Sequence, residues 1–202
     1  MSTKKESDEV TEMQVNSDIY LQPNNDRLLN LIQRYSNLSI PVVNPSVWSR
    51  DYISEEVSLS NFRGDCAYVW QLRDGSAEHH HIVSALYTQR IDTLGLFDLL
   101  NEDASFGAQV YNYDDRYVVS RDFLDSINEI LFLERHLGIS TRERFNVVDI
   151  GAGYGRLAHR MAVALPNMGD MFCVDAIPES TFISEYYLNY RGVSDRAHAV
   201  PI

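Results

Sequence analysis

The chain is poor in the residues that would mark several common protein classes. It has two cysteines in 202 residues, Cys66 and Cys173, more than a hundred positions apart. That is neither a disulfide framework nor a zinc-ligand spacing, and each thiol reads as a small buried side chain in a reducing compartment. Basic residues are also scarce, with Lys plus Arg at 17 against Asp plus Glu at 29, for a net charge of −12. Nucleic-acid backbones and anionic membrane surfaces both select for basic patches, so neither is an expected partner. No apolar run approaches the ~20 residues of a membrane span. Ile130-Leu131-Phe132-Leu133 is among the longest. The N-terminus, MSTKKESDEVTEMQVNSD, lacks the apolar core of a secretory signal. These absences predict a soluble, cytoplasmic protein; a second copy of the chain is an option as a partner.

What is present is ordinary for a globular protein: 45 % hydrophobic and 23 % charged residues. The length allows one full domain, or one domain with a partial neighbour. Three stretches differ in character. Residues 1–20 are polar and aperiodic and read as a disordered tail. Residues 21–138 read as mainly helical, with helices expected near 25–38, 77–90 and 93–100, and with 47–59 unassigned. Residues 67–72 fit a short strand or a helix start equally well. Within this stretch, tyrosines 111, 113 and 117 flank Asp114-Asp115, which predicts a β-hairpin over about 108–119. Ser120 then reads as the N-cap of an amphipathic helix ending at Gly138.

Residues 139–202 alternate differently. Phe145 to Ile150 is a short apolar run of the kind that forms a parallel strand buried on both faces. A glycine loop, a helix over 157–165, a strand over 171–174, a helix over 179–191 and a strand over 197–200 follow. This β-α-β-α-β order predicts an α/β fold, the opening of a doubly wound, Rossmann-like sheet.

The loop itself reads Asp149-Ile150-Gly151-Ala152-Gly153-Tyr154-Gly155. A dinucleotide fingerprint would place its third glycine at 156, which is Arg. The observed spacing is instead that of S-adenosylmethionine (SAM) sites. Glycines let a ligand approach the backbone, and amides at the following helix start can meet a carboxylate. Asp175 ends the next strand, where an acid can accept hydrogen bonds from both ribose hydroxyls. Asp149 is a candidate for the cationic end of the ligand. Asp149, Gly151, Ala152, Gly153, Gly155, Asp175 and Ala176 are therefore the expected cofactor-binding residues. A nicotinamide or flavin site and an empty structural turn are the competing readings.

Several blocks resemble one family, the sugar O-methyltransferases within the Rossmann-like SAM-dependent methyltransferases. They are SRDFLDSINEI at 120–130 with FLERHLG at 132–138, GAGYGRL at 151–157, and DAIPES at 175–180 with SEYYL at 184–188. YVWQL at 68–72 and LGLF at 94–97 fit more loosely, and the likeness covers about residues 60–202. The resemblance implies a SAM-dependent O-methyltransferase acting on a sugar or glycoconjugate hydroxyl of a small-molecule or glycan acceptor. It also implies a seven-stranded sheet, of which this sequence has room for three. The chain is thus expected to be the N-terminal part of a longer enzyme, or a non-catalytic, partner-dependent module.

Other features admit plainer readings. His79-His80-His81 are adjacent and do not converge easily on one ion, so no metal site is expected. The hairpin tyrosines can stack on a sugar ring or pack a small core. Arg121 and Asp122 open the helix before the sheet, either as caps or as substrate-facing residues. No general base is assigned from the sequence.

Overall fold

The computed structural model describes residues 17–41, 47–64, 66–68 and 77–202. Most of the expected tail, and the segment 69–72, lie outside that range. Of the tail, Ser17–Tyr20 forms a short helix, α1. The tail reading fails there because aromatic contacts hold these residues: Tyr20 stacks on Phe182 and Tyr186, and Leu21 is buried.

Helix α2 runs Asp26–Ser36, and its first turn is capped by the Asn25 side chain, which accepts from the Arg27 amide at 2.8 Å. Leu28, Leu31 and Tyr35 form its buried stripe. The unassigned stretch contains α3, Arg50–Glu56, with Ser49 as its N-cap. Then come α4, Ala77–Ile91, and the single turn α5, Leu96–Leu99. The hairpin is present as β1, Val110–Tyr113, paired antiparallel with β2, Tyr117–Ser120. Asp114 and Asp115 both take positive φ at its tip, the conformation that tight hairpin turns demand and that aspartate tolerates. Helix α6, Arg121–Leu137, starts where expected, since Ser120 Oγ accepts from the Phe123 amide at 3.0 Å. It ends at Gly138 in the left-handed region.

The parallel sheet has three strands in the order β3 (Phe145–Ile150), β4 (Met168–Val174), β5 (Ala197–Val200). Helix α7, Arg156–Ala164, joins β3 to β4, and α8, Pro178–Tyr190, joins β4 to β5. Alternate residues Val147, Met171, Cys173 and Ala197 point to one face, where Ile127 and Ile130 of α6, Ala158 and Met161 of α7 and Leu188 of α8 meet them. Burial raises the Cys173 thiol to about 12, which keeps it a neutral, packed side chain.

The other face departs from expectation. Val148 is 61 % and Ile150 84 % exposed, so β3 is buried on one face only. A complete doubly wound sheet carries helices on both faces, but successive right-handed crossovers in one direction put theirs on the same face. Here α6, α7 and α8 share one face, and β3 is an edge strand. The mixed α/β class therefore stands in coarse form: a small parallel sheet backed by helices, plus a separate hairpin.

Helix α8 is buried almost all round because it is covered twice. Its inner side meets the sheet, while Phe182, Ile183, Tyr186 and Tyr187 pack against α1, α2 and Phe62 in a second core. An apolar side all round is what a helix enclosed on every side requires. The N-terminal helices α1 and α2 thus share a core with the α/β part through α8. Among the described residues, no helix is long and apolar enough to cross a membrane.

Candidate functional site

A cavity of about 510 Å³ opens at the C-terminal ends of β3 and β4, within the range of small-molecule sites. Its floor is the glycine loop. Gly151, Gly153 and Gly155 all have positive φ (81°, 57° and 86°), so every second residue turns the chain left-handed between β3 and α7. This explains the two-residue spacing, because L side chains are strained in that region. A Cβ at Gly151 would enter open space, and one at Gly153 would lie 3.7 Å from the Tyr68 ring. The third glycine does other work. A Cβ at Gly155 would come 2.9 Å from Ser184 Oγ and 3.3 Å from Leu188, so Gly155 lets α7 and α8 pack closely and does not line the cavity.

The loop amides are largely committed. Those of Gly151 and Ala152 donate to the Val174 carbonyl at 2.8 and 3.3 Å, tying the loop to β4. The Gly153 amide donates to Asp175 Oδ2 at 2.9 Å. Helix α7 begins next to the cavity with Arg156 in the wall, and its first-turn amides have no intrahelical acceptor. The Arg156 guanidinium is directed to α6, donating to Ser126 Oγ at 2.9 Å and Glu129 at 2.8 Å.

Asp175 closes the cavity where β4 ends. Its second oxygen, Oδ1, accepts from the Ile177 amide at 2.9 Å. Burial lifts its carboxyl above the usual aspartate value, and the amides of Ile177 and Gly153 pull it back in part. A carboxylate has about four lone-pair sites. The Gly153 and Ile177 amides fix its orientation, and the Ser180 hydroxyl and Ala176 amide also favour its charged form. Ala176 and Ile177 continue the wall.

The opposite wall is aromatic and comes from the N-terminal region. Tyr68 donates to or accepts from Ser180 Oγ at 2.9 Å, and burial pushes its phenol far above the ordinary value. Trp48 lies 6.2 Å from Tyr68, nearly parallel to it. Neither residue was singled out as a site residue from the sequence. Tyr68 stood in one of the looser blocks of the resemblance, whereas Trp48 sat in the unassigned stretch without a motif around it. Ile202, just past β5, also lines the cavity.

The cavity wall thus brings together Gly151, Ala152, Gly153, Asp175 and Ala176, and leaves out Asp149, Gly155, Arg121 and Asp122. Asp149 shares the strand face of Val147. Its carboxyl is raised by burial and then by Glu129. Arg121 pairs with Asp125 on the helix surface at 3.4 Å, both more than 40 % exposed. Asp122 is buried, and its Oδ2 accepts from the Tyr154 hydroxyl and from Arg63 Nε.

Asp122 belongs to a second polar centre beneath the loop. Glu102 bridges Arg63 (2.7 Å) and Arg160 (2.6 Å), all three essentially inaccessible, and accepts from Ser120 Oγ at 2.6 Å. Arg63 also reaches Asp103, which pairs in turn with Arg191. Opposed charges and hydrogen bonds hold the carboxyls of Glu102 and Asp103 below their usual range against the upward pull of burial.

The remaining sequence candidates resolve into packing. Tyr111 stacks on His81, with ring centroids 4.2 Å apart. Tyr113 donates to Gln89 Oε1 and Tyr117 to Asp98 Oδ1. Glu134 accepts from the Ser140 amide and hydroxyl beyond its helix end. Among the described residues, no group of three or more His, Cys, Asp or Glu is placed to hold a metal ion. Comparison with protein-family models, curated proteins and solved structures finds no match to this chain.

Proposed function

We propose that the cavity binds S-adenosylmethionine and that the chain carries the cofactor-binding half of a Rossmann-like O-methyltransferase. The observation that supports this most directly is Asp175. It is a carboxylate oriented at a strand end by the Gly153 and Ile177 amides, with Ser180 and Ala176 also favouring its charged form, and it faces a cavity floored by a left-handed glycine loop. A ribose offers two adjacent hydroxyl donors to such an acid. The open space above Gly151, where a Cβ would protrude, suits close approach of a ligand chain, and the α7 amides with Arg156 suit its carboxylate.

SAM would supply an electrophilic methyl group on a sulfonium. The chain's own contribution is to bind and orient: Asp175 holds the ribose end, the α7 start the carboxylate end, and the aromatic wall excludes water. Transfer to an oxygen is an in-line displacement, so orientation accounts for much of the rate. A hydroxyl acceptor also needs a base. The titratable side chains in the wall are Tyr68, Tyr154, Arg156 and Asp175. Burial raises both phenols, Arg156 is cationic and Asp175 is committed to the ribose, so none of the four suits that task. The acceptor, a sugar or glycoconjugate hydroxyl, rests on the family resemblance alone.

Calorimetric titration with SAM tests the binding, and transfer of labelled methyl to nucleotide-sugars tests the acceptor. Heat with SAM, together with labelled sugar, bears the proposal out. Absence of SAM binding removes it, and turnover on protein or nucleic acid but no carbohydrate removes the sugar assignment. One observation favours a second reading, a non-catalytic module completed by a partner polypeptide. The bare face of β3, with Val148 and Ile150 uncovered, is a surface that soluble proteins seldom leave open. SAM binding without methyl transfer to any acceptor would favour that module.

A further inference from the structure

Trp48 occupies a position that the glycine loop and Asp175 do not explain. It forms part of the wall of the 510 Å³ cavity together with Ala176, Ile177 and Ile202. It also bounds a neighbouring cavity of about 300 Å³, again beside Ala176 and Ile177. The indole is therefore a partition at the end of the site that lies beyond Asp175 in the chain direction.

Its placement is built with care for a residue in an otherwise polar segment. Ser49, next in sequence, caps α3 by accepting from the Tyr52 amide at 3.2 Å. Arg50 then grips Glu179 in the first turn of α8 through two bonds, of 3.0 and 2.6 Å, with Glu179 nearly buried. These contacts anchor the chain immediately after the residue that carries the indole. The ring meets Tyr68 nearly parallel at 6.2 Å and Tyr52 edge-on at 5.5 Å, so its orientation is fixed by two other aromatics. The cavity wall it shares includes the apolar Ala176, Ile177 and Ile202 and the hydrogen-bonded pair Tyr68–Ser180.

We infer that Trp48 is the platform on which the purine base of the ligand stacks, an assignment that rests on the SAM reading of the same cavity. With the ribose fixed at Asp175, a flat aromatic base extending past it enters a slot with an indole on one side and small or aliphatic residues on the other. Stacking on an aromatic side chain tolerates any base but requires a π-face, so the site would take adenosine compounds through shape and stacking. The N-terminal region then supplies half of the ligand's contacts. Removing a base–aromatic stack weakens binding by roughly 5- to 100-fold.

Calorimetric titrations of the wild-type chain, Trp48→Ala and Trp48→Phe with SAM and with adenosine test this. The expected result is a loss of that size for both ligands in Trp48→Ala, with Trp48→Phe retaining most of the affinity. In parallel, SAM should change the tryptophan emission of the wild type and not that of Trp48→Phe, although Trp70, the other tryptophan, remains. This second measurement decides the matter if Trp48→Ala does not fold. SAM binding of equal strength in wild type and Trp48→Ala, or an emission change that persists in Trp48→Phe, overturns the platform and leaves the cofactor reading standing. No binding of SAM or adenosine to the wild type overturns both.

Discussion

Two polar centres lie on either side of the glycine loop, and they are built on opposite rules. Beneath the loop, Glu102 is enclosed by Arg63, Arg160 and Ser120, and Asp122 by Arg63 and the Tyr154 hydroxyl. Charge is balanced there and almost every acceptor is used, as burial demands. Above the loop, Asp175 is held by the amides of Gly153 and Ile177 with help from the Ser180 hydroxyl, has no cationic partner among the described residues, and faces a cavity. The lower centre ties the 61–64 and 101–105 segments, the start of α6 and the middle of α7 into one unit. The upper centre turns its acid toward open space. The difference teaches that a buried acid close to the glycine loop does not thereby belong to the cavity wall. Asp122 was a substrate candidate by sequence position, yet it is buried beneath the loop and bonded to Tyr154 and Arg63.

Breaking the lower centre should have the largest effect on stability. Glu102→Leu leaves two buried guanidinium groups without their shared partner, which costs about 3–5 kcal/mol. At roughly 2–4 °C per kcal/mol for a chain of this size, the melting temperature should fall by about 6–20 °C. A change of less than a few degrees in a thermal melt would show the network to be dispensable.

The upper centre should respond in affinity. Asp175→Ala is expected to weaken SAM binding roughly tenfold to a hundredfold, since hydrogen bonds to charged acceptors are worth about 1.5–3 kcal/mol. It also frees the Gly153 and Ile177 amides, so a stability loss of about 1–2 kcal/mol accompanies it. Position at a strand end suggests an acid without a folding role, and the two amide bonds revise that. Titration calorimetry alongside urea unfolding separates the two effects, and equal SAM affinity in the variant would take Asp175 out of the site.

The glycines sharpen the contrast further. Gly151→Ala meets only the left-handed backbone penalty of about 1–2 kcal/mol, because its Cβ has room. Gly155→Ala adds a clash with Ser184 and Leu188 and should unfold at clearly lower urea concentration than Gly151→Ala. The reverse order would mean that Gly155 does not set the α7–α8 approach.

The smallest expected effect is a pH dependence from His159. Burial, followed by Arg160, Arg191 and Arg63, depresses its pKa to about 2, and the Tyr187 hydroxyl lies 3.2 Å from Nδ1. The folded form therefore stays neutral while the unfolded chain takes up a proton below its ordinary value near 6.5. The stabilisation is complete above that value and is lost as pH falls toward the folded pKa, by about 1 kcal/mol at pH 5.5. His159→Gln should flatten the stability profile between pH 7 and 5. A profile as steep as the wild type's would assign the acid sensitivity elsewhere.

Two helices show the same lesson in apolar terms. Neither α4 nor α8 has a pronounced apolar stripe. In α8 this reflects cover on both sides, by the sheet and by α1 and α2. In α4, Val83, Leu86 and Tyr87 are instead more than 60 % exposed. Composition alone does not separate a doubly covered helix from a partly bare one, since cover is a property of neighbours.

The sequence by itself determined what is local. The Ser120 cap and Gly138 stop of α6, the hairpin tip at Asp114-Asp115, the three parallel-strand segments and the left-handed loop of alternate glycines follow from short-range sterics and hydrogen bonding. Gly151, Ala152, Gly153, Asp175 and Ala176 were legible as one site for that reason, because loop and strand end are adjacent elements of a β-α-β unit. What only the tertiary structure decided is long-range. Trp48 and Tyr68 reach the cavity because Arg50 grips Glu179 and Tyr68 meets Ser180 more than a hundred residues away. Asp122 turned inward because Arg63, a residue without a motif, arrived to pair with it. The outer face of β3 is bare because α6, α7 and α8 all fell on the same side. Sequence patterns encode periodicity and caps, whereas charge pairing and cover depend on which distant surfaces meet, and packing settles that only when the whole chain folds.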